Sequence, residues 1–427
     1  MAPVGLVEAY LTLGLRLGRH IDGMVDAYYG PRQWPQAVDA EPLHPPERLV
    51  AEARALVADI DAGLPLDTAG DGAVGDGESA ARRHWLRAQV VGMLTTARKL
   101  AGEEIAYADE VESCYGVRPT RVDEEVLTEA HRRLDEVLPG TGPLAERLVE
   151  WREAHAVPRD KLGPAIDSLA EDLRERTRVL FGLPDGERVE FELVSDQPWS
   201  GFNYYLGDLH SRVAVNTDLP VLSTGLAHLV AHESYPGHHT EHTRKEVGLV
   251  RHRHWWEESI FLVGTPQCLL AEGLADLGLE VVMGRRPETV VAGHLRPLGI
   301  RYDTEVVAAV SEAGEALGAV RQNAAFRLHE DGADPDTVSE EVAYWGLLST
   351  DRARKAVEFL THPTWRAYLT CYVEGLPLCR NFVDGDPVRF ERLLSEQLTP
   401  DMLQDQIRAD RSEPVGDPTT PSDRMTG

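Results

Sequence analysis

Apolar residues recur three or four positions apart along most of this chain, and the spacing predicts helices over 47–61, 79–107, 122–136, 143–180, 221–247, 255–283, 303–330 and 364–375. The first twenty residues, MAPVGLVEAYLTLGLRLGRH, read as a further amphipathic helix, because Glu8 and Arg16 break the apolar run and no basic start or small-residue cleavage site of a secretory leader is present. Alternation with period two is confined to RVEFELV (188–194), where Val189, Phe191 and Leu193 share one side, and RVAVNT (212–217). An aromatic loop from Trp199 to Leu206 separates them. The expected fold is therefore mainly α, with a small antiparallel β-sheet next to a histidine-rich helix. Two polar stretches interrupt it: LPLDTAGDGAVGDGES (63–78) reads as a loop, and residues 411–427 as a disordered tail behind a single domain over 1–410.

Composition narrows the function. An apolar content of 42% in 427 residues suffices for a large core. Asp and Glu number 71 against 43 Lys and Arg, a net charge of −28, which excludes a nucleic-acid groove as the default and favours neutral or cationic substrates. The four cysteines, Cys114, Cys268, Cys371 and Cys379, form no CxxC pair, so neither a disulfide scaffold nor a thiolate metal site is expected. No run approaches the roughly 18 apolar residues of a membrane span. The expected setting is cytoplasmic, away from membranes.

Of the histidines, seven fall between His228 and His254. The helix expected after an N-cap at Ser223 or Thr224 contains HESYPGHH, in which His232 and Glu233 are placed like the opening of an HExxH zinc helix. Position i+4 is Pro236, and the next histidines are His238 and His239. A straight helix separates His232 from His238 by about 9 Å along its axis, too far for one small ion. A kink at Pro236-Gly237 would bring His238 back to the face of His232, since proline cannot donate to the preceding turn and glycine accepts unusual backbone angles. His228 with His232, and His238 with His242, are alternative pairs at i, i+4. His239 is a reserve ligand or a hydrogen-bond donor to the reacting group.

Hydrolytic zinc sites hold three protein ligands and an open position. Glu272, in the apolar helix LLAEGLADLGLE, is the expected third ligand, because an unpaired carboxylate there would be costly to bury. Gly273 would permit a close helix approach, Asp276 one turn on would accept from a ligand histidine, and Glu280 reads as partly exposed. In PTWRAYLTCYVEGLP, Trp365, Tyr368, Tyr372 and Gly375 share a face, and Tyr372, then Tyr368, is the expected donor to an oxyanion. RHRHWW (251–256) reads as a solvated helix start. Arg301, Arg354 and Arg366 are candidate receivers of a substrate carboxylate.

The order HESYPGHH, AEGLAD, YVEG resembles the bacterial domain-of-unknown-function family 885, with its HExxPGHH helix, EGWA-like segment and Y-x-x-G segment. The likeness spans roughly residues 190 to 385, and Leu274 stands where that family usually has tryptophan. Such proteins are similar to thermostable zinc carboxypeptidases of the gluzincin type, which implies a large helical domain with a substrate cleft. It implies Zn2+ at His232, His238 and Glu272, Glu233 as general base, and Tyr372 as the matching tyrosine. The expected activity is zinc-dependent hydrolysis of peptide or peptide-like amide bonds. The alternatives are a metal-dependent hydrolase or lyase of a small amide-containing metabolite, and a non-catalytic binding protein with a decayed peptidase cleft.

Overall fold

The computed structural model describes residues 5–66, 76–197, 199–362 and 365–412. The centre of the 63–78 loop and the tail from 413 onward lie outside the described residues, while Arg411 and Ser412 complete the last helix.

Helices α1 (Leu6–Gly18), α2 (Gln33–Ala40), α3 (Pro46–Asp61) and α4 (Asp76–Leu100) begin the chain, with strand β1 (Val25–Tyr28) between α1 and α2. Leu6, Tyr10, Leu13 and Leu17 form one stripe of α1, and with Leu49, Leu56 and Ile60 of α3 and Trp85, Leu86 and Met93 of α4 they make a first apolar cluster. Next come α5 (Tyr107–Tyr115), α6 (Glu124–Val137), α7 (Leu144–Ala154) and α8 (Arg159–Phe181). The helix expected over 143–180 is thus two. Pro158 disfavours helical angles at Val157, whose N–H instead donates to the Val221 carbonyl at 2.9 Å.

Strands β2 (Arg188–Val194), β3 (Gly201–Tyr205) and β4 (His210–Asn216) form a sheet in the order β2-β4-β3. The antiparallel sheet expected from the first and last of these is corrected: β2 runs parallel to β4, and β3, drawn from the aromatic loop, pairs antiparallel with β4. A parallel pair needs a crossover. Here β3 lies within that crossover and becomes the edge strand.

Helix α9 (Ser223–Glu233) stops at the glutamate and α10 (His238–Lys245) starts at the second histidine, so the helix expected over 221–247 is broken inside HESYPGHH. Neither Ser223 nor Thr224 caps α9. Leu222 holds that position, and the Ser223 hydroxyl donates to the Arg301 carbonyl at 2.9 Å. Beyond α10 a π-helical stretch runs to Arg251. RHRHWW therefore closes a helix rather than starting one, and Trp255 is buried with the Arg82 guanidinium 4.7 Å above its ring. The helix expected over 255–283 is also interrupted, by a 3-10 turn at Trp256–Ser259, strand β5 (Ile260–Leu262) and the Thr265-Pro266 start of α11 (Pro266–Met283).

Helices α12 (Glu288–Leu295), α13 (Thr304–Gly314), α14 (Val320–His329), α15 (Pro335–Trp345) and α16 (Thr350–Thr361) follow. Asp303, Asp334 and Ser349 cap three of them by accepting from backbone N–H groups. The chain ends in α17 (Thr370–Val383), α18 (Pro387–Ser395) and α19 (Pro400–Ser412). Helix α11 lies at the centre, buried at every position from Pro266 to Ala275. The close approach expected of Gly273 is made to α17: a Cβ there would lie 2.4 Å from the Gly375 carbonyl oxygen. Gly278 is the residue that meets the broken histidine segment, with the Pro236 ring 3.0 Å from where its Cβ would be.

Strand β5 pairs antiparallel with β1 and separates the two cores, since Ile260 and Leu262 join the N-terminal cluster and Phe261 the main one. Beside it Glu258 is buried, accepts from Gln267 Nε2 at 3.1 Å, and is pushed up to about 7 by burial foremost. A carboxyl whose folded pKa exceeds its unfolded value contributes stability below about pH 4.5 and loses it as pH rises through about 7. At 1.36 kcal/mol per unit the loss is on the order of 3 kcal/mol. Glu258→Gln is therefore expected to raise the unfolding temperature relative to the parent more at pH 8 than at pH 5. Equal differences at the two pH values would show that Glu258 does not titrate in this window.

Candidate metal centre

The break in HESYPGHH is built from its own residues. Ser234 keeps its N–H on the Val230 carbonyl, and Gly237 turns back so that its N–H donates to Ala231 O at 3.0 Å. At Gly237 a Cβ would lie 1.9 Å from His232 O and 2.6 Å from Ala231 O, so only glycine fits. The Tyr235-Pro236 peptide is cis. Thr240 ties α10 to the turn, its N–H and hydroxyl both donating to Ser234 O.

The result is that His238 Nε2 lies 3.1 Å from His232 Nε2, with the two rings perpendicular. From α11, Glu272 Oε2 is 3.3 Å from His232 Nε2 and Glu272 Oε1 3.8 Å from His238 Nε2. Tetrahedral ligand atoms about 2.1 Å from one zinc ion stand about 3.4 Å apart. The three separations bracket that value. Glu272 Oε2 is also buried without a hydrogen-bond partner, as expected of an oxygen reserved for a cation. These residues therefore fit a divalent metal.

Asp276, one turn beyond Glu272, accepts from His232 Nδ1 at 2.8 Å, which turns Nε2 toward His238 and Glu272. Burial opposes a charged His232, but Asp276 and Glu272 outweigh it and hold the ring well above its ordinary value. Burial, then the His232 charge, pushes His238 down to about 4. A second grouping, His228 with His232 and Asp276, uses the other ring nitrogen of His232, and His228 is half exposed there. Asp276→Asn is expected to weaken metal binding ten- to a hundredfold, read by competition with a chelator, without unfolding the chain. An unchanged affinity would reduce Asp276 to a polar filler.

Glu233 closes α9 beside this cluster. Its carboxylate packs on Gly201 of β3, where a Cβ would come 3.1 Å from Oε1, and burial pushes it up to about 7. Asn203 of the same strand donates to the Glu233 carbonyl at 2.6 Å. Tyr368, just before α17, donates its hydroxyl to Glu272 Oε1 at 2.8 Å and lies 3.0 Å from the Tyr372 hydroxyl. The proton of Tyr368 is thereby engaged, so in the contact between the two hydroxyls Tyr372 donates to the Tyr368 oxygen, while the Tyr372 side chain, 41% exposed, lines the cavity.

Two expectations are corrected. His239 is not brought to the cluster: it is fully buried on the other side of α10, with Nδ1 on Ser211 Oγ at 2.8 Å and Nε2 on Glu187 Oε2 at 2.9 Å, so neither nitrogen is left for a ligand or donor role. Of the three candidate arginines none lines the cavity, and Arg366 donates to Glu110 at 2.6 Å. The structure adds residues that spacing did not reveal. Asp26 of β1, Asn203, Phe261 and Cys268 line the same cavity as Glu233, Glu272 and both tyrosines, together with His242, four residues on from His238. His242 is stacked on Tyr205, and the only hint of Asp26 was a lone acid inside the apolar strand VDAY.

Comparison with known proteins adds a fold and little else. No family model matches the chain, and no curated protein is similar to it. A "putative lipoprotein" from Colwellia psychrerythraea superposes with a TM-score of 0.51 at 14% identity, covering 84% of this chain and 66% of that one. The present chain thus spans about two thirds of that neighbour. A second "putative lipoprotein", of unknown function, from Shewanella oneidensis gives 0.44 at 13% identity over 89% and 76% of the two chains. The M32 carboxypeptidase from Deinococcus radiodurans R1 gives 0.41 at 12% identity over 94% and 93%. The mainly helical architecture with small sheets stands. Among the described residues no helix is long and apolar enough to cross a membrane.

Proposed function

We propose that this protein is a metal-dependent hydrolase of peptide or peptide-like amide bonds. The observation that carries the reading is the convergence of His232, His238 and Glu272 at tetrahedral ligand spacing, with Glu233 beside them in one cavity. Zinc is the ion we assign, for its affinity for two imidazoles and a carboxylate; when bound it supplies a Lewis acid and makes water acidic enough to lose a proton near neutrality. Glu233 takes that proton on a carboxylate oxygen and hands it to the nitrogen of the leaving amine. Tyr372 donates its hydroxyl to the oxygen of the attacked carbonyl, while Tyr368 holds Glu272 in place. Edge strand β3, which lines the cavity through Gly201, Phe202 and Asn203, offers main-chain groups to an extended substrate.

We place the reaction in a reducing, cytoplasmic compartment, in keeping with four buried free cysteines. The test is elemental analysis of the purified protein and of Glu272→Ala, joined to a screen of peptides and small amides with product masses read out. One zinc per chain, lost in the variant, and hydrolysis abolished by chelator are expected. Hydrolysis that persists undiminished without metal overturns the metal-dependent reading, and a protein with neither stoichiometric metal nor hydrolysis is left as a non-catalytic binding protein.

A further inference from the structure

Four walls of the cavity are accounted for by the reaction: α9 with α10, α11, edge strand β3, and the tyrosines at and just before the start of α17. The fifth is β1 with β5, and it carries Asp26. Strand pairing explains why this side chain faces inward. Val25 is opposite Leu262 and Ala27 opposite Phe261, so β1 advances two residues while β5 advances one, and Asp26 is the extra residue of a β-bulge. Around it Val25 and Tyr28 pack on the N-terminal core and Ala27 on the main core. A regular strand would alternate these four positions. The bulge instead puts Ala27 on the main core and Asp26 on the cavity, and so delivers a carboxylate there.

That carboxylate has no hydrogen-bond or ion-pair partner among the described residues. The cavity lining contains Asp26, Glu233 and Glu272 and no lysine or arginine. Glu233 and Glu272 are taken up by the proposed reaction, whereas Asp26 is left over. A partly buried carboxylate with no cation beside it stays charged only at a cost, and a ligand that brings the cation removes that cost. A receiver for a substrate's terminal carboxylate is missing from the same lining, which runs against carboxypeptidase action at this cavity.

Resting on the hydrolase reading above, we propose that Asp26 is a specificity-determining residue that receives an organic ammonium group of the substrate, so that the protein prefers amide substrates carrying a free amino terminus or a lysine-like amine. The cation enters the cavity with its positive charge among the carboxylates and its amide carbonyl toward Tyr372 and Glu233. An N-acylated substrate lacks that charge and leaves Asp26 unpaired.

The experiment compares dipeptides with their N-acetyl derivatives, using the zinc-loaded full chain and Asp26→Asn, with product masses and zinc content recorded. The parent is expected to favour the free amine in kcat/KM by roughly ten- to a hundredfold, the range of a charge-assisted hydrogen bond, and Asp26→Asn to collapse that ratio to near one with zinc content unchanged. A parent that treats both forms alike overturns the assignment while the hydrolase reading stands, even if the variant fails to fold. If neither form is cleaved, calorimetry at pH 7 decides Asp26 separately from the hydrolase reading. Binding of L-leucinamide but not its N-acetyl derivative, lost in Asp26→Asn, supports an α-ammonium site, and binding of N-acetyl-lysinamide instead assigns the side-chain amine. Absence of binding by all three amides overturns the proposal.

Discussion

Replacing Glu233 by glutamine is expected to lower turnover at least a hundredfold, and up to ten-thousandfold, while metal content stays at the parent level. Glutamine keeps the shape of the side chain against Gly201 and removes only its ability to take a proton. It also removes a buried charge. Glu233 is held up at about 7 by burial, with Glu272 and Asp276 adding to the rise, so a neutral amide relieves that cost. The unfolding temperature of Glu233→Gln should equal or exceed that of the parent at pH 8. Stability kept with turnover lost marks a catalytic group, and the pair of measurements separates it from a structural one. A variant that unfolds, or that hydrolyses at the parental rate, removes Glu233 from the mechanism.

Gly237→Ala should be as damaging by a different route. Its Cβ would fall 1.9 Å from one backbone carbonyl oxygen and 2.6 Å from another, and neither is the end of a flexible side chain that can swing away. The turn between α9 and α10 must open, and His238 then leaves His232. Expected results are metal affinity weakened more than a hundredfold and stability reduced by about 4 kcal/mol or more, at the high end for one residue. Both are read on the same sample, by elemental analysis after dialysis and by thermal unfolding. Retention of metal at the parental level would mean that the turn does not align the histidines.

The HESYPGHH break was legible because its chemistry is local: proline removes a donor, glycine admits a conformation, and a rise of about 1.5 Å per residue says how far a straight helix would miss. The turn brings His238 within 3.1 Å of His232, where the kink was expected to bring it. Glu272 could be singled out because a lone acid in LLAEGLADLGLE conflicts with its surroundings, and Asp276 because it lies one turn away. What failed was non-local. The parallel pairing of β2 with β4 depends on β3 entering between them in the chain, which alternation within either strand does not encode. The segment IFLV was read as helix because a short apolar run fits either period, and pairing with β1 decided for strand. Asp26 stayed hidden since its direction is set by a one-residue register shift against a strand more than two hundred positions away.

The contact between Gly273 and Gly375 has an evolutionary reading. Two helices touching backbone to backbone form one rigid body, and that body carries Glu272 on one helix and Tyr372 on the other. Any side chain at either glycine would force the two helices apart, so the spacing of these two groups is set by that contact as a unit. The opposite walls, β1 with its bulge and the edge strand β3, are held by no such contact. New substrate preferences in this scaffold should therefore arise by exchanging side chains on those two strands, with the α11–α17 pair left as it is.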